Sequence, residues 1–158
     1  MIAMVEGVAV GAGWNLALRC DLVVASTSSR FSAIFAKRAL SLDFGGAWLL
    51  PRPAGLQQAK RLAFLAEFID ADEAHELGLV TWVKPLEEIQ EFTRTLMPPM
   101  ALAQNKEMLN TGVVSSFQQT FDEEARAQSV NYGTEDAPIA RRAFKEKAEP
   151  EFTGTWAL

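Results

Sequence analysis

The residues best placed to do chemistry begin with three small side chains, Gly11-Ala12-Gly13, set between an apolar run and Trp14-Asn15-Leu16-Ala17-Leu18. A strand, a small-residue turn and a helix in that order let backbone N–H groups point outward at a helix start. The helix dipole adds partial positive charge there. An oxyanion is what such a turn can stabilise. The bare Gly-x-Gly pattern serves simple close packing equally well. It is not a dinucleotide fingerprint: Leu16 stands where a third small residue is needed, and no strand-plus-acid arrangement follows at the right distance. Other reactive side chains are few. The chain has one histidine, His75, and one cysteine, Cys20. These provide no Cys/His metal cluster and no internal disulfide. His75 reads as a surface helix residue. Cys20 reads as a buried structural thiol, because nothing nearby activates it. Lys37-Arg38 is a solvated basic pair with no assigned role.

The elements that must position these residues follow from periodicity and punctuation. Met1–Val10 is one strand-like apolar run with no polar lead-in. It suits either an edge strand near the terminus or the interior of a longer protein, since termini usually lie at the surface. A short helix runs through Trp14–Arg19, a buried strand through Asp21–Ala25, a polar turn through Ser26–Ser29 and a short strand through Arg30–Phe35. Asp43-Phe44-Gly45-Gly46 is a loop entering an apolar helix that ends near Pro51 and Pro53. Gln57–Glu67 is helical. Asp70 caps the next helix with Glu73 as its capping-box partner, and Gly78 ends it. Leu79–Val83 is a strand. Helices then cover Leu86–Leu96, Pro99–Asn110, a segment on which Phe117, Phe121 and Ala125 recur, and one begun by Pro138 with Ala140, Ala143 and Phe144 inward.

Composition narrows the function classes. The 158 residues fit one domain, or one and a fraction; 49% are hydrophobic and 22% charged, which excludes a disordered chain. A net charge of -5 argues against non-specific nucleic-acid binding. No apolar run is long enough for a membrane span, and no signal peptide opens the chain, so the expectation is a cytoplasmic setting.

The ordered set GVAVGAGWNLALRCDLVVAS, RFS, LDFGGAWLLPRPAG and IDADEAHELGLVTWV, closed by DAPIARRAFKEKAEPEFTG, strongly resembles the crotonase (enoyl-CoA hydratase/isomerase) superfamily. It looks closest to the ring-1,2-epoxyphenylacetyl-CoA isomerase-like branch. The resemblance implies an α/β fold: part of a spiral of ββα units in residues 1–84, then a helical oligomerisation region in residues 85–158. It implies acyl-CoA thioester substrates, an enolate held in an oxyanion hole, no cofactor beyond the substrate's own coenzyme A, and homo-trimers or hexamers with neither nucleic acid nor membrane as partner. The chain begins well inside the family pattern. The first oxyanion donor and most of the CoA-cradling segment are expected outside it, so a catalytically inactive remnant and an acyl-CoA-binding or assembly module stay open as alternatives.

Carried over by position, the second oxyanion donor is the Ala12 N–H, flanked by Gly11 and Gly13. The two glutamates of the hydratase members map to Asn15 and Phe35. Asn15 can orient a water or a carbonyl but does not titrate, and Phe35 adds only apolar wall, so water addition by two glutamates is poorly supported. Asp43 is the remaining acid. It either caps the following helix or shuttles a proton, in which case Phe35, Phe44 and Trp48 are expected to raise its pKa by desolvation. Double-bond isomerisation is then favoured over hydration. Trp14 either walls the acyl pocket or fills the core. Lys145, like Lys147, either faces solvent or approaches the CoA phosphates.

Overall fold

The computed structural model describes residues 1–95 and 100–155. The chain forms two compact units, Met1–Leu96 and Met97–Leu158.

The first unit is mixed α/β. The apolar opening run is two strands rather than one, β1 (Ile2–Val5) and β2 (Val8–Val10), separated by Glu6-Gly7. They enter different three-stranded sheets. β1 pairs parallel with β3 (Leu22–Ser26), which pairs parallel with β6 (Trp82–Lys84); Ile2 sits opposite Leu22 and Val24 opposite Trp82. β2 pairs parallel with β4 (Arg30–Ser32), which pairs antiparallel with β5 (Ile69–Asp70). Both β1 and β2 are edge strands among the described residues. The expected polar turn at Ser26–Ser29 holds the step between the sheets. Ser29 Oγ donates to the Val5 carbonyl at 2.7 Å and Ser26 Oγ to the Glu6 carbonyl at 3.1 Å, with both serines wholly buried. Buried hydroxyls must find acceptors, and here they find the backbone where the chain leaves β1.

β4 is shorter than its residue types suggest, because a 3₁₀ helix (Ile34–Arg38) follows at once. Helices α1 (Ala12–Leu18), α2 (Gly46–Leu49), α3 (Pro51–Leu65) and α4 (Ala71–Glu76) complete the layers. α2 ends at Leu49, beside Pro51, as expected; Pro51 and Pro53 lie in the first turn of α3, which does not need the N–H that proline lacks, and non-helical Gly55 (φ 76°, ψ 158°) kinks α3 ahead of the expected helix from Gln57. Asp70 caps α4 through Oδ1, which accepts from the Glu73 N–H at 2.9 Å. The other half of the expected capping box is missing: the Glu73 carboxylate turns away to pair with Arg61 of α3. Gly78, at φ +73°, follows the last turn. The core gathers Trp14, Val23, Ala25, Phe31, Leu50, Leu62, Ile69 and Leu79.

The boundary between the units falls at 96/97, twelve residues beyond the expected 84/85. α5 (Ile89–Thr95) packs on β1 and β3, with Ile89 wholly buried, so the first of the expected C-terminal helices belongs to the sheet unit. Leu96 and Pro99, expected bounds of helices, lie outside the described residues.

The second unit holds α6 (Met100–Gly112), α7 (Phe117–Tyr132) and α8 (Asp136–Glu146). α7 opens with a full capping box between Ser116 and Gln119. Ala143 is buried as expected, but Phe144, expected inward, is 87% exposed, and Phe117 and Phe121 are also exposed. Four-residue spacing puts these rings on one helix face; it does not say that this chain covers the face. Beyond α8, the tail folds back: Asp136 accepts from the Thr153 N–H at 2.7 Å and the Gly154 N–H at 3.0 Å.

Candidate active site

The Gly-Ala-Gly turn lies between β2 and α1. Gly11 is its hinge, with φ 55° and ψ -127°, a conformation only glycine adopts readily. Its N–H donates to the Ser32 carbonyl at 2.9 Å, tying the turn to the end of β4. The Phe35 ring backs the turn, 3.5 Å from where a Gly11 Cβ would stand. Helix pairing begins with the Asn15 N–H, which donates to the Gly11 carbonyl at 3.1 Å. The N–H groups of Ala12, Gly13 and Trp14 precede that first bond and have no carbonyl one turn earlier to reach. Ala12 is half-buried and Gly13 exposed. A groove of about 590 Å³ runs past this point, lined by β1, β2, Gly13, Leu16 and Cys20. Cys20 is half-buried rather than enclosed, with Sγ against the Leu16 carbonyl at 3.7 Å.

Asp43 sits on a tight turn leading into α2. Its carbonyl accepts from the Gly46 N–H at 2.8 Å. The two central residues, Phe44 (φ 48°) and Gly45 (φ 81°), both have positive φ, as in a type I′ turn. For Phe44 that conformation costs about 1–2 kcal/mol. A second bond holds the same carbonyl: Asn15 Nδ2 donates to it at 2.9 Å. Asn15 is almost wholly buried, and its carboxamide lies where a side chain on residue 46 would be. A Cβ on Gly46 would stand 2.4 Å from Nδ2 and 2.9 Å from Cγ. Asn15 Oδ1 is buried without a partner. The residues from Gly11 to Asn15 thus bring the Gly-Ala-Gly turn and the Asp43 turn onto one helix.

Three expectations change here. Asp43 does not cap α2: the N-cap is Gly45 and no side chain caps that end. The aromatic screen around Asp43 is not formed either. Phe35 is buried against Gly11, while Asp43 is exposed, Phe44 is 61% exposed and Trp48 53%, so they do not desolvate the carboxylate. The Trp48 ring instead stacks on the Arg52 guanidinium at 3.4 Å. Trp14 is wholly buried in the core, its ring 5.6 Å from Phe31. It fills the core and does not wall an open pocket.

Lys145 lies exposed in the last turn of α8, in the second unit. His75 is exposed on α4, as expected, with Nδ1 2.9 Å from the Val80 carbonyl. Lys37 and Arg38 are exposed at the end of the 3₁₀ helix. No group of three or more His, Cys, Asp and Glu capable of holding a metal occurs among the described residues. The feature that residue-by-residue reading missed is the contact between Asn15 and Gly46; no local pattern announces a contact between residues so far apart in the chain.

A family model described as enoyl-CoA hydratase/isomerase matches residues 1–155. The 1,2-epoxyphenylacetyl-CoA isomerase of Escherichia coli is 36% identical over 98% of this chain and 61% of its own length. The short-chain-enoyl-CoA hydratase of Clostridium acetobutylicum is 32% identical over 96% of this chain and 60% of its own. Among solved structures, an enoyl-CoA hydratase/isomerase from Cupriavidus metallidurans superposes with a TM-score of 0.85 at 39% identity, covering 99% of this chain and 62% of that one. The chain therefore spans about three-fifths of the length of the relatives it matches.

Proposed function

The chain belongs to the enoyl-CoA hydratase/isomerase family, and from that premise we propose that it acts on acyl-CoA thioesters as a double-bond isomerase rather than a hydratase. The observation that carries this reading is the set of side chains around the Ala12 turn. By the family resemblance, Asn15 and Phe35, neither of which can exchange a proton, map to the two glutamates of the hydratase members. Asp43, a carboxylate, is exposed on a turn bonded to the helix that bears the Ala12 N–H.

In this mechanism Asp43 takes a proton from the carbon alpha to the thioester of a β,γ-unsaturated substrate. The C–H electron pair moves into the thioester, whose oxygen becomes an enolate oxyanion bonded to the Ala12 N–H. Asp43 then returns the proton to the gamma carbon. The double bond has shifted, Asp43 is a carboxylate again, and no water has been consumed. Gly11 and Gly13 keep side chains away from the thioester, and Lys145 offers a cation for the CoA phosphates. Coenzyme A enters only as part of the substrate. A homo-trimer or hexamer would cover the exposed Phe117, Phe121 and Phe144 of the second unit. No helix among the described residues is long and apolar enough to cross a membrane.

The test is to incubate the chain with a β,γ-enoyl-CoA and identify the product. A conjugated enoyl-CoA of unchanged mass supports the reading; a hydroxyacyl-CoA, heavier by one water, overturns it. The unpaired edges of β1 and β2 favour one second reading, an acyl-CoA-binding or assembly module. Saturable acyl-CoA binding with no turnover would select that reading, and absence of binding would leave a catalytically inactive remnant.

A further inference from the structure

Asn15 is a buried polar residue that the proposed chemistry does not use. Its nitrogen and oxygen are told apart by their surroundings: the atom 2.9 Å from the Asp43 carbonyl must be the donor, Nδ2. The bond spans twenty-eight residues and holds a turn that Phe44 enters at positive φ. Two donors converge on the Asp43 carbonyl, the Gly46 N–H from within the turn and the Asn15 carboxamide from α1. Gly46, without a Cβ, leaves the room the carboxamide occupies. One helical turn before Asn15 stands the Ala12 N–H.

We propose that Asn15 is a positioning residue for Asp43: its carboxamide locks the Asp43–Gly46 turn to α1 and so fixes the Asp43 carboxylate relative to the Ala12 N–H. The inference rests on the isomerase reading above. Asn15 touches no substrate in this account; it acts through the backbone of Asp43. A side chain at position 15 with the same number of heavy atoms but without a donor releases the turn. Asn15→Leu is that change.

The full chain and its Asn15→Leu variant are compared in two ways. In steady-state isomerisation of a β,γ-enoyl-CoA, Asn15→Leu is expected to lower kcat about 10- to 100-fold, the scale of a misplacement near 1 Å, with KM changed less than about twofold. In amide hydrogen exchange at a temperature where both proteins are folded, the Gly46 N–H is expected to exchange at least about tenfold faster in the variant, because its acceptor is no longer held. Unchanged Gly46 exchange overturns the proposal, and so does faster exchange with kcat intact, since the bond is then structural only. A silent unsubstituted chain would count against the isomerase reading alone. The lock is then read from Gly46 exchange and the Asp43 carbonyl carbon shift, both of which must move in the variant. Should Asn15→Leu fail to fold, Asn15→Ser carries the same comparison.

Discussion

Replacing Gly46 by alanine should destabilise the first unit, although alanine is the better helix former. The new methyl would stand 2.4 Å from Asn15 Nδ2, 2.9 Å from Cγ and 3.0 Å from Oδ1. Real Cβ contacts do not come so close, so something must move. Gly46 is the buried first residue of α2, and Asn15 is almost wholly buried. The carboxamide can yield only by giving up its bond to the Asp43 carbonyl. Overpacking of this kind costs about 1–3 kcal/mol, and a buried donor left unpaired about 1–3 kcal/mol more. Helix propensity returns up to about 1 kcal/mol. The net expectation is a loss of about 1–6 kcal/mol, a large share of the stability of a unit this size. Urea unfolding followed by circular dichroism reads it as a lower midpoint with an unchanged slope. In an Asn15→Ala background the space is vacant, and Gly46→Ala should then be neutral or stabilising. An equal effect in both backgrounds, or stabilisation in the first, would refute the argument that these two residues compete for one volume.

Other consequences follow from single positions. Gly11→Ala should cost about 1–3 kcal/mol, read as a lower urea midpoint. The penalty is conformational, since the nearest Phe35 atom would be at an ordinary 3.5 Å, and no loss would mean that the turn tolerates another backbone shape. Asp136 is held below the usual carboxylate range, first by the hydrogen bond from the Thr153 N–H and further by the Thr153 hydroxyl and the Gly154 N–H, against an opposing contribution from burial. Its folded-state pKa is depressed, so the stabilisation is fully present above the unfolded value of about 3.9. It is lost as pH falls through the depressed value. The Thr153 and Gly154 amide resonances should titrate with a midpoint below that of an ordinary aspartate; a midpoint at or above it contradicts the clasp.

Much of the first unit was legible because its signals are local. Small residues between an apolar run and a helix mark the α1 turn, and Asp70 three residues before Glu73 marks the start of α4. What was not legible depends on distant partners. Glu73 had the spacing for a capping box, but Arg61 on α3 outcompetes the cap for its carboxylate. Met1–Val10 reads as one strand by hydrophobicity, yet the serine hydroxyls of a later turn accompany its division between two sheets. Asp43 before a helix looks like a cap; the turn at Phe44-Gly45 instead makes Gly45 the cap, and no side chain caps that end. Phe144 fits an inward stripe by spacing and is nonetheless exposed. The tie between Asn15 and Asp43 needed coordinates, because two residues twenty-eight apart meet only after folding.

The claim that Asp43 carries the proton is tested most directly by the turnover of Asp43→Asn measured beside its affinity for acyl-CoA. Asparagine preserves size and the backbone bonds of the turn but cannot accept the proton. The account predicts that isomerisation falls by at least about 100-fold, the usual scale for a general base, while acyl-CoA binding stays within about twofold. Isomerisation at the unsubstituted rate in Asp43→Asn would contradict it.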